Sequence, residues 1–402
     1  MAAPTRPPPI AILVAVTATG PLALNILMPS LPSLPAVFGT DYATVQLTLS
    51  LYLISLAGAQ LIYGPLSDRY GRRPVLLAGL GVFLLGTLTG ALADSISMVI
   101  AARVLQAMGG CAGMVLGRAI VRDLYDRDRA ASVIAYVTMA MVVAPMLAPL
   151  FGGFLDDWLG WRATFWFVAL YGSVVVVLCF MLLGETHRIR LPFPGPAGML
   201  SSYFRLLRSP LFLGYALGIS FASASFFAFL GGAPYVMIEI MGRPPSEYGL
   251  YFMMGGAGYM SGNFISGRVS TRFGVERMFT AGTVITLCGA LMMLVGALAG
   301  VLTPLALFGP MMISAIGNGL SLPNGFAGAV SVDPRITGAA SGLAGFLQMG
   351  LGASASFLVG YMLTDSQLPL ALVMTASSAL AVVAAVMIRR AHRIQPLSEH
   401  VS

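Results

Sequence analysis

Apolar residues in this chain run in stretches of about twenty, separated by short polar breaks, and they do not alternate as a half-buried strand would. A helix needs roughly 20 apolar residues to cross a bilayer. The stretches fall at Ile10 to Ser30, Ala43 to Tyr63, Pro74 to Ala93, Ser97 to Ile120, Ala131 to Phe154 and Trp161 to Gly184. A second set follows at Pro210 to Tyr235, Tyr248 to Ser266, Met278 to Leu298, Leu302 to Gly325, Gly338 to Leu363 and Pro369 to Met387. The pattern therefore predicts an all-α integral membrane protein with twelve transmembrane helices and no room for a sizeable soluble domain.

The densest polar break is Gly64-Pro-Leu-Ser-Asp68-Arg69-Tyr-Gly71-Arg72-Arg73, and a weaker copy stands at Gly267-Arg-Val-Ser270-Thr271-Arg272-Phe-Gly274. Gly64, Ser67, Arg69 and Gly71 match Gly267, Ser270, Arg272 and Gly274 at one offset of 203 residues, about half the chain. Such an offset predicts a duplicated six-span unit. The halves are 1–184 and 210–402, and the segment 185–209 between them, with Leu-Pro-Phe-Pro-Gly-Pro inside it, reads as a cytoplasmic linker. In each half the charged break follows the second span. Gly64-Pro65 reads as the end of that span, Gly71 as a tight turn, and Arg72 and Arg73 as anchors for the next helix.

Composition agrees with the spans: 57% of residues are hydrophobic and 9% charged, with a mean hydropathy of +0.87. Soluble chains carry about 25% charged residues. The net charge of +7 does not point to nucleic acid, because all 22 basic residues are arginine and they gather in particular breaks. With the N-terminus inside, the outer breaks keep only Arg162 and Arg243, which predicts both termini cytoplasmic by the positive-inside rule. Cys111, Cys179 and Cys288 lie in apolar runs without paired spacing, which predicts small packing residues and neither a disulfide framework nor a metal site. The run from Ile10 to Met28 is longer than a signal-peptide core and reads as a retained span.

The break from Gly64 to Arg73 resembles motif A of the major facilitator superfamily. Arg103-Val-Leu-Gln106-Ala-Met-Gly109 resembles its fourth-span motif B, and Ala148-Pro149-Leu-Phe-Gly152-Gly153 its fifth-span exporter motif C. With Gln60-Leu-Ile-Tyr-Gly64 and Arg118-Ala-Ile-Val-Arg122-Asp123, they are similar to the Bcr/CflA drug-efflux branch. The resemblance implies the major facilitator fold, two pseudo-symmetric six-helix bundles around a central cavity in the inner (plasma) membrane. It also implies a monomer that carries a small organic molecule, with the bilayer and a coupling proton as its other partners, and neither a catalytic site nor a cofactor. Asp68, Arg69, Gly71, Arg72 and Arg73 would form a cytoplasmic latch, with Arg69 and Arg73 helping to hold Asp68. Pro149, Gly152 and Gly153 would serve gating.

One departure changes the expected chemistry. The branch usually carries an acid in its first span, and here Leu22-Ala-Leu-Asn25-Ile-Leu-Met28-Pro29 has an amide, which cannot exchange a proton near neutral pH. The fifteen acids all fall in breaks or at span ends, with Glu239 the nearest to an outer vestibule. Arg103 is placed inside the fourth span, where a charge needs a partner or a wet cavity. It is a candidate substrate or gating residue, or else a structural bond to Asn25 or to backbone carbonyls. Further candidates for substrate contact are Asn25, Gln106, Tyr215, Phe226, Phe227 and Asn318, which together suit a mostly apolar organic molecule. Met237-Ile-Glu-Ile-Met241 resembles an element of CcoA-type copper importers, whose relatives include riboflavin importers. The alternative is therefore import of a small nutrient such as riboflavin or copper without a first-span carboxylate.

Overall fold

A computed structural model describes residues 8–124, 127–186, 195–333 and 336–394. The described residues are almost wholly helical. Helix α1 (Ile10–Ile26) passes through a 3₁₀ turn (Met28–Ser33) into the short α2 (Leu34–Phe38), and is followed by α3 (Tyr42–Tyr70), α4 (Arg72–Ala91), α5 (Ile96–Leu124), α6 (Arg127–Leu159) and α7 (Arg162–Leu182). Then come α8 (Gly195–Leu207), α9 (Pro210–Tyr235) with a π-helical turn (Val236–Ile240), α10 (Pro245–Phe273), α11 (Val275–Leu298), α12 (Pro304–Ser331), α13 (Thr337–Met362) and α14 (Leu368–Ile394). Each of the twelve expected spans has its long helix. Among the described residues ten are long and apolar enough to cross a membrane by composition.

Two boundaries differ from expectation for a plain reason. Gly64-Pro65 does not end the second span, since α3 continues to Tyr70 with Pro65 inside it. A proline removes one helical donor and does not stop a helix whose neighbouring turns are intact. The stop is Gly71, at φ +101°, a backbone conformation that side chains with a Cβ rarely adopt. The linker is also not wholly irregular, because its second part forms α8, while residues 187–194 lie outside the described ones.

The chain divides into two compact units. One is Met1–Pro194 with Met237–Met253, and the other is Gly195–Val236 with Met254–Ser402. The hairpin Met237–Met253 therefore packs with the first unit. Within the first unit α4 lies tightly on α5, and within the second α11 lies tightly on α12. Small residues allow both approaches: a Cβ on Gly79 or Gly86 would strike Ala112 or the backbone of Gln106, and one on Gly282 or Gly289 would strike the backbone of Gly317 or Pro310. Gly79 and Gly282, like Gly86 and Gly289, keep the 203-residue offset, so the repeat reaches the packing of the helices.

Each unit has its own apolar core. Leu13, Val16, Leu76, Leu80, Leu116 and Ile120 are buried together in the first, and Phe212, Ile219, Phe279, Ala344 and Ile388 in the second. The outer surface is apolar too: Trp166, Leu170, Val174, Val177 and Met181 form one exposed stripe along α7. In water such a stripe would be a liability, and lipid tails are its natural cover. Cys111 and Cys179 are buried as expected of packing residues, whereas Cys288 lies on the exposed surface of α11.

Candidate functional site

The half of the first unit remote from Gly71 holds a polar knot around Arg103. Its side chain is 1% exposed on α5, yet among the described residues no carboxylate pairs with it. Its Nη1 donates to the Ala23 carbonyl at 2.7 Å and to Gln106 Oε1 at 2.6 Å, and its Nη2 to the Leu24 carbonyl at 3.2 Å. Those carbonyls belong to the last turn of α1, where the helix leaves acceptors without intrahelical donors and carries the negative end of its dipole. The Tyr52 ring lies 4.2 Å below the guanidinium carbon, and Tyr52 Oη donates to the Gly20 carbonyl at 2.9 Å. A broken helix end, an amide oxygen and an aromatic face thus replace the missing acid.

Gln106 is used at both ends, because its Nε2 donates to Thr87 Oγ1 at 3.0 Å. The knot joins α1, α3, α4 and α5. Asn25 donates its Nδ2 to the Pro21 carbonyl at 2.9 Å, while Asn25 Oδ1 and Arg103 Nε are buried without a hydrogen-bond partner. Beside Arg103, Ala23, Leu27, Gln106, Thr164 and Phe165 close around a crevice too narrow to admit a water molecule. The structure therefore brings Arg103 and Gln106 together at the end of α1, whereas Asn25 bonds within its own helix.

The candidates in the second unit are dispersed. Tyr215 is buried edge-on against Phe279, with centroids 5.7 Å apart, and Asn318 accepts from Thr286 Oγ1 at 3.4 Å in the packing of α11 on α12. Phe227 packs where a Cβ on Gly352 would touch it. Phe226 is half-buried, and Gln348, which the sequence pattern did not single out, is half-buried too and donates to Ser223 Oγ at 2.6 Å.

The expected cytoplasmic latch is a network centred on Arg72. Its guanidinium donates to Asp68 and Ser67 and reaches Asp123 Oδ2 at 3.1 Å. Glu185, at the end of the sixth span, accepts from the backbone N–H groups of Arg72 at 2.9 Å and Arg73 at 3.3 Å, capping α4. The expected pairing of Asp68 with Arg69 and Arg73 is corrected: Arg69 lies over Tyr70, and Arg73 turns to the Phe180 carbonyl at 2.9 Å and its ring. The reason is geometric. Asp68 and Arg72 stand four residues apart across Gly71, so the pair closes over the turn. Glu185 was missed because it is 113 residues from its partner, and only its place at a span end marks it.

The second copy keeps the turn without the Asp68–Arg72 ion pair, whose places are taken by Thr271 and Val275. Gly274 has φ +83° and starts α11 as Gly71 starts α4, and Arg272 lies over Phe273 as Arg69 lies over Tyr70. Among the exporter residues, Pro149 lies inside α6, and a Cβ on Gly152 would meet the Ile26 carbonyl and one on Gly153 the Pro245 carbonyl. Close approach is their evident contribution.

Comparison with known proteins agrees with this architecture. Residues 13–357 match the sequence profile of the Major Facilitator Superfamily. The chain belongs to that superfamily. It is thus a multi-pass membrane transporter for a small molecule. It is 29% identical over 369 residues to a bicyclomycin resistance protein homolog of Haemophilus influenzae, covering 90% of this chain and 92% of that one. Multidrug resistance protein D of Escherichia coli is 30% identical, with 86% of each chain covered. A solved peptide transporter in complex with alafosfalin superposes with a TM-score of 0.79 at 15% identity, covering 98% of both chains, which shows the shared fold. For this transporter the copper reading is no better supported than export, since its Haemophilus influenzae and Escherichia coli relatives are named for drug resistance. Met237 is buried in packing, and His187 lies outside the described residues.

Proposed function

We propose that this transporter is a drug-efflux exporter of lipophilic, uncharged or weakly polar molecules, working by alternating access of the halves 1–184 and 210–402. The relatives named for bicyclomycin and multidrug resistance support the export reading. The observation that carries the substrate class is the self-contained Arg103 knot: its buried charge is satisfied by α1, so it presents no ion-pairing demand to a substrate. Among the described residues no acid lies mid-span, so the first unit offers a cation no fixed carboxylate there. Phe226 contributes aromatic surface.

Both termini lie in the cytoplasm in this reading, from the arginine asymmetry of the polar breaks. The monomer is the working unit. Coupling to protons, where it occurs, does not pass through position 25. A thermal-stability screen of the purified protein tests the substrate class, since a ligand that binds the native state raises its melting temperature. Neutral aromatic drugs should stabilise it and permanently charged cations should not. The reverse ranking would overturn the reading.

A further inference from the structure

Helix α8, between the two sets of spans, is 13 residues long, about 20 Å at 1.5 Å per residue and too short to cross a bilayer. It lies where one end of the second unit is assembled. Leu206 is buried in the core with Phe212, Phe279, Ala329 and Ile388, and the half-buried Tyr203, Val275 and Ile336 pack against the same core. These residues belong to the starts of α9, α11 and α13 and the ends of α12 and α14, so α8 rests at the level where membrane helices terminate. It is tied there at short range. The Arg208 N–H donates to the Phe204 carbonyl at 3.2 Å and the Ser209 N–H to the Leu206 carbonyl at 2.9 Å, after which the Ser209 hydroxyl accepts from the Phe212 N–H at 3.3 Å and caps α9. An ion pair of Arg205 with Asp333 at 3.8 Å adds a second tie.

The helical register sorts the last turns of α8 into three faces. Tyr203 and Leu206, three residues apart, face the core. Phe204 and Leu207, also three apart, form a neighbouring face that is apolar yet uncovered, at 55% and 38% exposed. Ser201, Arg205 and Arg208 share the remaining side and are exposed. A helix with one side on protein, one apolar and one cationic is suited to the headgroup level of a bilayer, where the apolar side reaches the acyl boundary and arginines stay among phosphates. Charge at this end of the unit is one-sided. Glu276 and Asp333 are its only acids among the described residues, and they pair with Arg389 at 3.7 Å and Arg205 at 3.8 Å. Arg208, Arg268, Arg272, Arg277 and Arg390 remain as exposed cations in excess.

We propose that α8 is an interfacial helix that docks on an anionic membrane surface, with the Phe204–Leu207 face seated at the acyl boundary and Arg208 drawing anionic lipid phosphates to it. A neutral bilayer would cover the apolar face equally well, so the cationic excess is what selects the headgroup. The attraction of one basic residue to an anionic surface corresponds to about fivefold in lipid preference, and that is the share expected of Arg208. Added salt should weaken the preference, because it screens exposed charges, and leave the seating of the apolar face in place.

The test uses the whole protein in nanodiscs, in a Cys288→Ser background because Cys111 and Cys179 are buried, with an environment-sensitive fluorophore on Phe204→Cys or on Ser201→Cys. In phosphatidylcholine mixed with phosphatidylglycerol, the label at position 204 should be shielded from aqueous acrylamide and quenched by lipids with a nitroxide high on the acyl chain. The label at position 201 should show the reverse. Nitroxide-labelled phosphatidylglycerol should quench at position 204 as fully as about a fivefold higher fraction of nitroxide-labelled phosphatidylcholine. Arg208→Gln should bring the two lipids toward parity, and Arg208→Lys should restore the preference. Acrylamide reaching position 204 as freely as 201 would overturn the seating and leave that face to a protein partner. Equal quenching by the two lipids with Arg208 in place, or a preference that Arg208→Gln does not move, would overturn the anionic selection. Because Phe204→Cys removes one apolar anchor, a label on Leu207→Cys repeats the depth reading with Phe204 present. The readout needs no substrate, so a failure of drug export would leave it untouched.

Discussion

Arg103 holds a buried positive charge without a negative side chain, which is an uncommon solution in a protein interior. A helix end is a sufficient counter-charge only if the guanidinium fork reaches two carbonyls at once, as it does at Ala23 and Leu24. Lysine could not span both. Arg103→Ala should therefore lower stability by about 2 kcal/mol, with carbonyls and Gln106 left unpaired, and Arg103→Lys should recover less than half; thermal unfolding in detergent reads both. Phe226→Ala should instead leave stability nearly unchanged and weaken binding of an aromatic drug by about fivefold. Equal melting losses for the two positions would show that the knot carries no special load. Arg103 was legible in the sequence as a charge out of place, because the cost of burying it is general. Backbone carbonyls were among its expected partners, but not which ones, since carbonyls belong to every residue and leave no mark in side-chain chemistry.

Helix ends show the same division between what a sequence displays and what it hides. The spans follow from apolar length, and that signal survived everywhere. The stop of α3 did not, because Pro65 looks like a breaker while Gly71, a residue with no side chain to read, is the actual terminus. Two glycines with similar backbones allow a clean comparison. A Cβ on Gly71 would meet Glu185 Oε2 at 2.4 Å, whereas one on Gly274 would meet nothing within 4 Å. Gly274→Ala should cost about 1 kcal/mol from backbone strain alone. Gly71→Ala should cost about 2 kcal/mol more, as it also dislodges the Glu185 cap and its bonds to the start of α4. Glu185→Gln in the Gly71→Ala background separates the two contributions: little further loss is expected, because the cap is already gone.

For the molecule as a whole, the duplicated plan was visible in a few spaced residues, and the packing at Gly79, Gly86, Gly282 and Gly289 extends it through the helices. The division of the packed units at Val236 and Met253 was not visible, since nothing in composition marks which body an apolar hairpin rests on. Two transport measurements belong at this scale. In proteoliposomes a pH gradient alone should drive less than about twofold accumulation of a neutral drug, as position 25 cannot carry a proton. Strong accumulation would reinstate proton coupling by another route. Asp68→Asn should slow turnover while leaving drug affinity within about twofold, because the Arg72 network contacts helix ends and no substrate surface.

The turn at Gly274 has a practical meaning for anyone rebuilding the protein. Its backbone already matches the turn at Gly71, and Thr271 and Val275 occupy the places that Asp68 and Arg72 hold in the first half. The second half thus offers the same turn without the ion pair, so Thr271→Asp with Val275→Arg would place an acid and an arginine at the positions that Asp68 and Arg72 hold in the first.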